Sequence, residues 1–291
     1  MSREIALPPL REGRAAPPDL AERRGQMQAA VDAGAWKTIR PPVEEHFAGL
    51  RTLRFKPDGA PRGYMLQLHG GGFRIGRPEF ESLFAEALAV RCGIEVVVPQ
   101  YRLAPESPFP AGLADALAAL QALRVEAGDM PLIVGGDSAG GGLAASLGVL
   151  TAAGDGPQID GLVLLSPWLD LRVTARAYAA NAATDPMFSK ESADVAAELY
   201  LQGFDPAHPL VSPLLAPIDT WPPTLISVGT GEVLVDDSRL FHDKLVAAGV
   251  PVELSAIDGM EHVAVVRGLA LPGSAETLAA VAAFVERVLQ R

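Results

Sequence analysis

The stretch that decides the fold runs from Leu132 to Gly142 and reads Leu-Ile-Val-Gly-Gly-Asp-Ser-Ala-Gly-Gly-Gly. It joins a short apolar run, typical of a buried strand, to a helix-like run through the pattern Gly136-x-Ser138-x-Gly140. A strand that turns into a helix within so few residues brings backbone segments close together. We therefore expect side chains at positions 136 and 140 to collide with neighbouring backbone. Such a turn holds its serine hydroxyl above the sheet, which predicts Ser138 as a nucleophile.

Two other interpretations of this turn have less support. A phosphate-binding loop of the Walker type needs Gly-Lys-Ser or Gly-Lys-Thr, and residues 132–142 contain no lysine. A glycine-rich turn without chemistry is common, but here a strand precedes the motif and a helix follows it. That is the context in which a nucleophilic serine occurs.

Working outward from this motif, strand-like and helix-like runs alternate from about residue 51 onward. The apolar, strand-like runs are Leu50–Phe55, Tyr64–Leu68, Ile94–Val98, Leu132–Val134, Leu162–Leu165, Thr224–Val228 and Val252–Ile257. The helix-like runs between and after them are Phe80–Arg91, Leu113–Glu126, Ala139–Ala152, Ser238–Ala248 and Ala275–Leu289. This alternation predicts an α/β fold with a mostly parallel central sheet flanked by helices.

Two segments depart from the alternation and predict a helical cap. Residues 1–50 carry three Pro-Pro pairs, lack strand-like runs and have a helical patch over Leu20–Ala33, so we interpret them as an N-terminal arm or cap. Residues 51–291 form the predicted catalytic domain. Within it, the segment from about residue 172 to 212 is too long for a simple crossover and contains a predicted helix over Ser189–Leu201. An insertion of this size is expected over the carboxyl edge of the sheet, where a lid would lie.

A second glycine run, His69-Gly70-Gly71-Gly72-Phe73, follows the strand-like run at Tyr64–Leu68. Three consecutive glycines allow the backbone to approach a ligand and to present N–H groups to it. Preorganised N–H donors are what a tetrahedral oxyanion requires. We predict an oxyanion hole built from the N–H groups of Gly71, Gly72 and Ala139, and we interpret His69 as structural rather than as a base.

Four motifs in this order resemble a known family. They are the glycine run at 69–73, Tyr-Arg-Leu-Ala-Pro-Glu at 101–106, Gly-Asp-Ser-Ala-Gly-Gly at 136–141 and Ser-Pro-Trp at 166–168. Together, over about residues 45–290, they are similar to the hormone-sensitive-lipase family of α/β-hydrolases, the bacterial family IV esterases. The resemblance implies the α/β-hydrolase fold, a carboxylic ester hydrolase with an N-terminal cap, and a homodimer formed through an edge strand.

A serine nucleophile needs a base and an acid that orients the base. In the α/β-hydrolase order the acid and then the histidine follow the serine, each after a strand. His262 follows the run at Val252–Ile257 and is the predicted base. The acid should follow the run at Thr224–Val228, where the family commonly has aspartate and this chain has Glu232. Glu232 is the predicted acid, with Asp236 as the alternative; Asp236 and its neighbour Asp237 resemble a helix-capping first turn.

Composition excludes several other classes. Among the 291 residues, 24 are Lys or Arg and 35 are Asp or Glu, which gives a formal net charge of −11. Such an acidic chain is not expected to bind nucleic acid. No apolar run is long enough to span a membrane, and the first nine residues lack a signal-peptide core, so we expect a cytoplasmic protein. The one cysteine and five scattered histidines indicate neither a metal nor a cofactor.

These observations predict a serine carboxylesterase that hydrolyses short- to medium-chain esters through an acyl-enzyme with a Ser-His-Glu triad. A lactonase or amidase with the same triad, or a non-catalytic ligand-binding protein on this fold, remains an alternative. The expected substrate is a small neutral ester, because no cluster of basic residues marks the site in the sequence. Candidates for the pocket wall are Met27, Trp36, Met187, Phe188 and Tyr200.

Overall fold

The computed structural model describes residues 5–291. The first four residues of the predicted N-terminal arm lie outside this range. They also belong to the nine-residue stretch on which the expected cytoplasmic location partly rests. The strands are β1 Val43–Phe47, β2 Leu50–Phe55, β3 Tyr64–Leu68, β4 Glu95–Pro99, β5 Leu132–Asp137, β6 Gly161–Leu165, β7 Thr224–Gly229 and β8 Val252–Ile257. They form one sheet in the order β1-β2-β4-β3-β5-β6-β7-β8. Only the pairings of β2 with β1 and β4 are antiparallel. The mostly parallel sheet is confirmed.

Nine α-helices accompany the sheet within the described residues. They are α1 Pro18–Asp32, α2 Ser82–Cys92, α3 Ala111–Ala127, α4 Ala139–Ala152, α5 Ala177–Ala180, α6 Lys190–Leu201, α7 Val235–Ala247, α8 Ala264–Arg267 and α9 Ser274–Leu289. Helices α2, α8 and α9 contact one another on one face of the sheet, whereas α3, α4 and α7 cover the other face. The sheet is therefore buried on both sides, which explains the near-continuous apolar sequences of its inner strands.

Successive residues of the inner strands point into two different cores. In β3, Met65 belongs to the core beneath α2 and α9, and Leu66 belongs to the core beneath α3 and α4. Strand β5 repeats this with Ile133 and Val134. The alternation follows from the two-residue period of a strand. These four side chains are apolar, and the side chains predicted for the site lie where the strands end.

The parallel strands place four loops at one edge of the sheet. The carboxyl ends of β3, β5, β7 and β8 lie at this edge because the strands run in the same direction. The glycine run at 69–73 follows β3, Ser138 follows β5, Glu232 follows β7, and His262 follows β8. Residues far apart in the sequence are thereby brought into one region.

One expectation for residues 1–50 is wrong, because strand β1 lies within them. Residues 43–47 read Val-Glu-Glu-His-Phe and pair with β2 as an antiparallel hairpin at the edge of the sheet. An edge strand exposes much of its surface and can be polar, so it lacks the apolar run that marks an inner strand. The sequence pattern therefore did not reveal it.

The segment before β1 and the insertion after β6 contact each other above the sheet. Leu20 of α1 packs against Leu199 of α6 and against Ile75 of the loop after the glycine run. Arg11 donates hydrogen bonds to the carbonyl groups of Leu201 and Gln202 at the end of α6. Within residues 5–291, no helix combines the length and the apolar character needed to cross a bilayer.

Candidate active site

Ser138 occupies the strained turn between β5 and α4. Its backbone angles are φ 51° and ψ −117°, which a non-glycine residue rarely adopts. A methyl group on Gly136 would overlap the backbone of Gly140, and one on Gly140 would overlap the carbonyl of Leu68. The structure thus agrees with the steric reason for glycine at both positions.

His262 lies with its ring between Ser138 and Glu232. Its Nε2 atom is 2.9 Å from Oγ of Ser138, and its Nδ1 atom is 2.6 Å from Oε2 of Glu232. The ring is buried and lies parallel to that of Phe188, with 5.8 Å between ring centres. Burial lowers the pKa of His262, but the hydrogen bond and charge of Glu232, together with the charges of Asp185 and Asp137, outweigh that effect and raise the pKa above its ordinary value. The imidazole is therefore prepared to receive a proton from the serine.

The carboxylate of Glu232 is held by three donors. Oε2 faces the imidazole of His262, while Oε1 accepts hydrogen bonds from Oγ of Ser166 at 2.8 Å and from the N–H of Gly229 at 2.6 Å. The side chain is buried, with 1% of its surface exposed. The longer side chain of glutamate is accommodated because its first oxygen is bound by the end of β7. Ser166 also accepts a hydrogen bond from the N–H of Val263. The sequence analysis named Ser166 only as part of the Ser-Pro-Trp motif and gave it no role in the site.

The alternative acid, Asp236, faces away from the histidine. It accepts a hydrogen bond from the N–H of Ala177 at 2.9 Å. Its neighbour Asp237 is buried, and burial raises its pKa to about 7. Asp237 accepts from the N–H groups of Leu169 and Asp170 in the segment after β6. Both residues lie in the first turn of α7, as the sequence indicated, but neither side chain caps the helix. Their carboxylates instead bind backbone N–H groups of the segment that follows β6.

The three N–H groups predicted to form an oxyanion hole are available at this site. Gly71 and Gly72 adopt φ angles of 117° and 61°, in the left-handed region that favours glycine. A methyl group on Gly71 would overlap the carbonyl of Ile75. None of the N–H groups of Gly71, Gly72 and Ala139 donates a hydrogen bond to another described residue. Polar N–H groups without a partner are unusual in a protein interior and are suited to a bound anion.

A pair of buried carboxyl groups supports the glycine run. Oδ1 of Asp137 accepts a hydrogen bond from the N–H of Gly70 at 2.6 Å, and Asp137 also bonds to Glu81. Burial raises the pKa of Asp137 to about 6, and burial followed by the charge of Asp137 raises that of Glu81 well above its usual range. Two such carboxyls cannot both ionise easily, so the pair shares a proton at neutral pH. Sequence analysis did not predict this pair.

His69 has the structural role that the sequence analysis expected. Its ring is fully buried and stacks on Tyr101, with 4.1 Å between ring centres, and Nδ1 is 2.9 Å from the carbonyl oxygen of Gly70. Burial lowers its pKa to about 4, so the ring is neutral. The hydroxyl of Tyr101 donates to the carbonyl of His69 and holds the strand end in place.

A cavity of about 260 Å³ opens above Ser138 and His262. Four of the five predicted pocket residues line it: Met27 and Trp36 from the N-terminal segment, and Met187 and Phe188 from the insertion. Tyr200 does not. It is buried beneath the pocket and stacks on Phe73 at 4.0 Å between ring centres. The sequence alone does not show which residues of α6 face the core and which face the cavity.

Three arginines also line the cavity, although the sequence shows no cluster of basic residues that would mark the site. They are Arg23 of α1, Arg74 in the loop after the glycine run, and Arg267 of α8. About 50 residues separate Arg23 from Arg74 in the sequence, and almost 200 separate Arg74 from Arg267. The sequence therefore did not indicate that the three lie close together. No group of three or more His, Cys, Asp or Glu side chains in the described part of the chain is arranged to bind a metal ion.

Comparison with known proteins places the chain in a family. A family model described as alpha/beta hydrolase fold matches residues 65–266, more than half of the chain. The chain belongs to the α/β-hydrolase family. A relative named acetyl-hydrolase, from Streptomyces hygroscopicus, is 40% identical over 202 residues that cover 68% of this chain and 67% of the relative. An esterase from Acinetobacter venetianus is 33% identical over 240 residues, 81% of this chain and 79% of that relative.

Solved structures of related proteins superpose closely on this chain. A hormone-sensitive lipase from a metagenome library superposes with a TM-score of 0.85 and 33% identity, over 95% of this chain and 93% of that structure. An esterase from the bacterial hormone-sensitive lipase family superposes with a TM-score of 0.81 and 32% identity, over 95% of this chain and 100% of that structure. These comparisons confirm the resemblance to the hormone-sensitive-lipase family and the predicted α/β-hydrolase fold. At the level of the family, they also confirm the prediction of a carboxylic ester hydrolase.

Proposed function

We propose that this α/β hydrolase is a serine carboxylesterase acting on short- to medium-chain esters, with Ser138, His262 and Glu232 as its triad. One observation carries the proposal: Ser138, His262 and Glu232 form a continuous hydrogen-bonded chain below a mainly apolar cavity. The relatives named esterase and acetyl-hydrolase support the same class of reaction.

The mechanism starts with the hydrogen bond between Ser138 and His262. Because Nδ1 of His262 donates to Glu232, Nε2 has a free lone pair and accepts the proton of the serine hydroxyl. Oγ then attacks the ester carbonyl, and the new oxyanion accepts hydrogen bonds from the N–H groups of Gly71, Gly72 and Ala139. Each such donor lowers the barrier by about 3 kcal/mol in enzymes of this kind.

Collapse of the tetrahedral intermediate requires the reverse proton transfer. The imidazolium of His262, stabilised by the carboxylate of Glu232, protonates the leaving alkoxide, and Ser138 is left acylated. A water molecule then gives a proton to Nε2 and attacks the acyl carbonyl. The second intermediate releases the carboxylic acid and restores the serine.

We further propose that the N-terminal segment before β1 and the insertion at about 172–212 act together as a cap. The support is that each contributes side chains to the cavity wall and that α1 and α6 contact each other through Leu20 and Leu199. A cavity of about 260 Å³ suits a small ester rather than a long acyl chain. The predicted cytoplasmic location and the homodimer remain predictions.

The test combines labelling with substrate profiling. A serine-directed phosphonate should add one equivalent to Ser138, and Ser138→Ala should lower kcat by about 10⁶-fold, as for other serine hydrolases. A series of p-nitrophenyl esters from acetyl to decanoyl, with one lactone and one anilide, measures chain-length and bond preference. Absence of both adduct and turnover would show a binding protein, and a faster lactone or anilide would show a lactonase or amidase.

A further inference from the structure

Two of the three arginines that line the catalytic cavity have no carboxylate partner among the described residues. Arg267 forms an ion pair with Glu261 at 2.8 Å, so its charge is compensated. Neighbouring arginines outside the cavity are compensated as well; Arg24, for example, pairs with Glu106. Arg23 and Arg74 form no ion pair within residues 5–291. The uncompensated positive charge is therefore directed at the substrate space.

Arg74 lies beside the glycine run that faces the nucleophile. A methyl group on Gly72 would be 3.7 Å from Nε of Arg74, so the guanidinium is adjacent to one of the proposed oxyanion donors. Only Nη2 has a partner: it donates to the hydroxyl of Ser192 at 2.9 Å, at the start of α6, and more weakly to the carbonyl of that residue. Nε and Nη1 donate to no other described residue. The Ser192 contact holds the guanidinium in place without neutralising it.

The surroundings make this charge costly in the absence of an anion. Arg74 is partly buried, and burial followed by the positive charge of Arg23 lowers its pKa. A guanidinium with unused donors in a partly buried site gains most from a charged acceptor, since a hydrogen bond between two ions is about twice as strong as a neutral one. The buried carboxyls Glu81 and Asp137 also line the cavity, but Asp137 is already bound to Gly70 and Glu81. The negative charge of Asp19 on α1 offsets part of the effect on the pKa of Arg74, but none of Asp19, Glu81 and Asp137 forms an ion pair with Arg74.

We propose that the preferred substrate is a small ester carrying a carboxylate group, which binds Arg74, with Arg23 at the rim attracting it into the cavity. The inference rests on the proposed esterase function and refines its substrate. One partly buried guanidinium matches one negative charge, and planar carboxylates suit the fork of an arginine. The apolar remainder of the wall accommodates the body of such a molecule. This replaces the neutral ester expected from the sequence.

The experiment compares charged and neutral esters of nearly equal shape on the full-length protein. For the acyl side, mono-p-nitrophenyl adipate is compared with methyl p-nitrophenyl adipate. For the alcohol side, 4-acetoxybenzoate is compared with methyl 4-acetoxybenzoate. In at least one pair, kcat/KM should be about 10-fold to 100-fold higher for the charged ester, the range of a charge-assisted hydrogen bond. The pair that shows the preference identifies which side of the ester faces Arg74.

Variants test whether Arg74 is the cause. Arg74→Gln should lower the ratio of charged to neutral kcat/KM to about 1 or less, Arg74→Lys should retain part of it, and Arg23→Gln should lower it by a smaller factor. The control Arg287→Gln removes one positive charge from α9, where Arg287 pairs with the exposed Glu253, and should leave the ratio unchanged. Adipate alone should inhibit the wild type competitively and Arg74→Gln weakly.

The outcomes separate the two proposals. If neutral esters are hydrolysed and Ser138 is labelled, but the charged esters are slower in both pairs, the carboxylate inference is overturned and the esterase proposal stands. A preference that persists in Arg74→Gln also overturns it. If neither class of ester is hydrolysed and Ser138 takes no label, the esterase proposal itself has failed.

Discussion

Replacement of Glu232 by glutamine should test the proposed triad most directly. The orientation of the new amide follows from the contacts of Glu232. Oε1 accepts from both Ser166 and the N–H of Gly229, so the amide oxygen has to take that place. The NH₂ group then faces Nδ1 of His262, which is 2.6 Å from Oε2. Because two donors cannot face each other, His262 will place its proton on Nε2, toward Ser138.

A histidine in this tautomer has no lone pair for the serine proton. We expect kcat/KM for Glu232→Gln to fall by about 10⁴-fold, equivalent to about 5.5 kcal/mol in the barrier. Glu232→Asp keeps the charge but is shorter by one carbon–carbon bond of about 1.5 Å. The contact with His262 would open to about 4 Å, beyond hydrogen-bond range, and we expect a loss of about 10²-fold.

The assay is hydrolysis of p-nitrophenyl butyrate between pH 5 and 9, with thermal unfolding measured for each variant. Asp236→Asn is the matched control, since Asp236 accepts only the N–H of Ala177 and the amide oxygen can do the same. It should change kcat/KM by less than about 3-fold, within the range of a substitution away from the site. The assignment is refuted if Glu232→Gln keeps more than a tenth of the activity, or if Asp236→Asn loses as much.

Three further predictions follow from the same contacts. Wild-type kcat/KM should rise with pH through an apparent pKa above 6.5, because Glu232 and the nearby Asp185 and Asp137 together outweigh burial and raise the pKa of His262, and only the neutral ring accepts a proton. A limb below 6.5 in the pH–rate profile would contradict this. Gly140→Ala should lower the free energy of unfolding by about 3 kcal/mol, because the new methyl group would overlap the carbonyl of Leu68. Gly25→Ala is the control, since Gly25 faces open space on α1; it should leave the free energy of unfolding unchanged or raise it by up to about 1 kcal/mol. Urea unfolding measures both variants. The thiol of Cys92 is buried and its pKa is raised to about 11, so a disulfide reagent should label it only after unfolding, and rapid labelling of the native protein would show that α2 opens.

The sequence predicted the inner strands well because the burial of both faces leaves a local signal, a short run of apolar residues. A strand buried on both faces needs apolar residues at every position, and the runs around Leu66 and Val134 meet that condition. The turn at Ser138 was predictable for a similar reason, since few residue types fit it. Edge strand β1 shows the opposite case. Its residues are half exposed, so their polarity carries no comparable constraint.

The predicted triad could be located because its acid and its base each follow a strand, and four of the five apolar residues predicted for the pocket wall line the cavity. Position after β7 and β8 indicated Glu232 and His262, and the structure brings both to Ser138; their catalytic roles remain a prediction. Ser166, Glu81 and the cavity arginines were missed because their significance depends on which loops meet in space. Of these residues, Arg74 could have been predicted to lie near the site, since it comes two residues after Gly72 of the glycine run.

The contact between α1 and α6 has a consequence for how substrate range can change. Leu20, Leu199 and Ile75 form a small apolar cluster separate from the two large cores that stabilise the sheet. We therefore expect substitutions on α1, such as at Arg23 or Met27, to change the cavity wall at less cost to the free energy of unfolding than substitutions in the two large cores. Libraries confined to residues 18–40 should accordingly yield altered specificities at a higher rate than libraries spread over the catalytic loops.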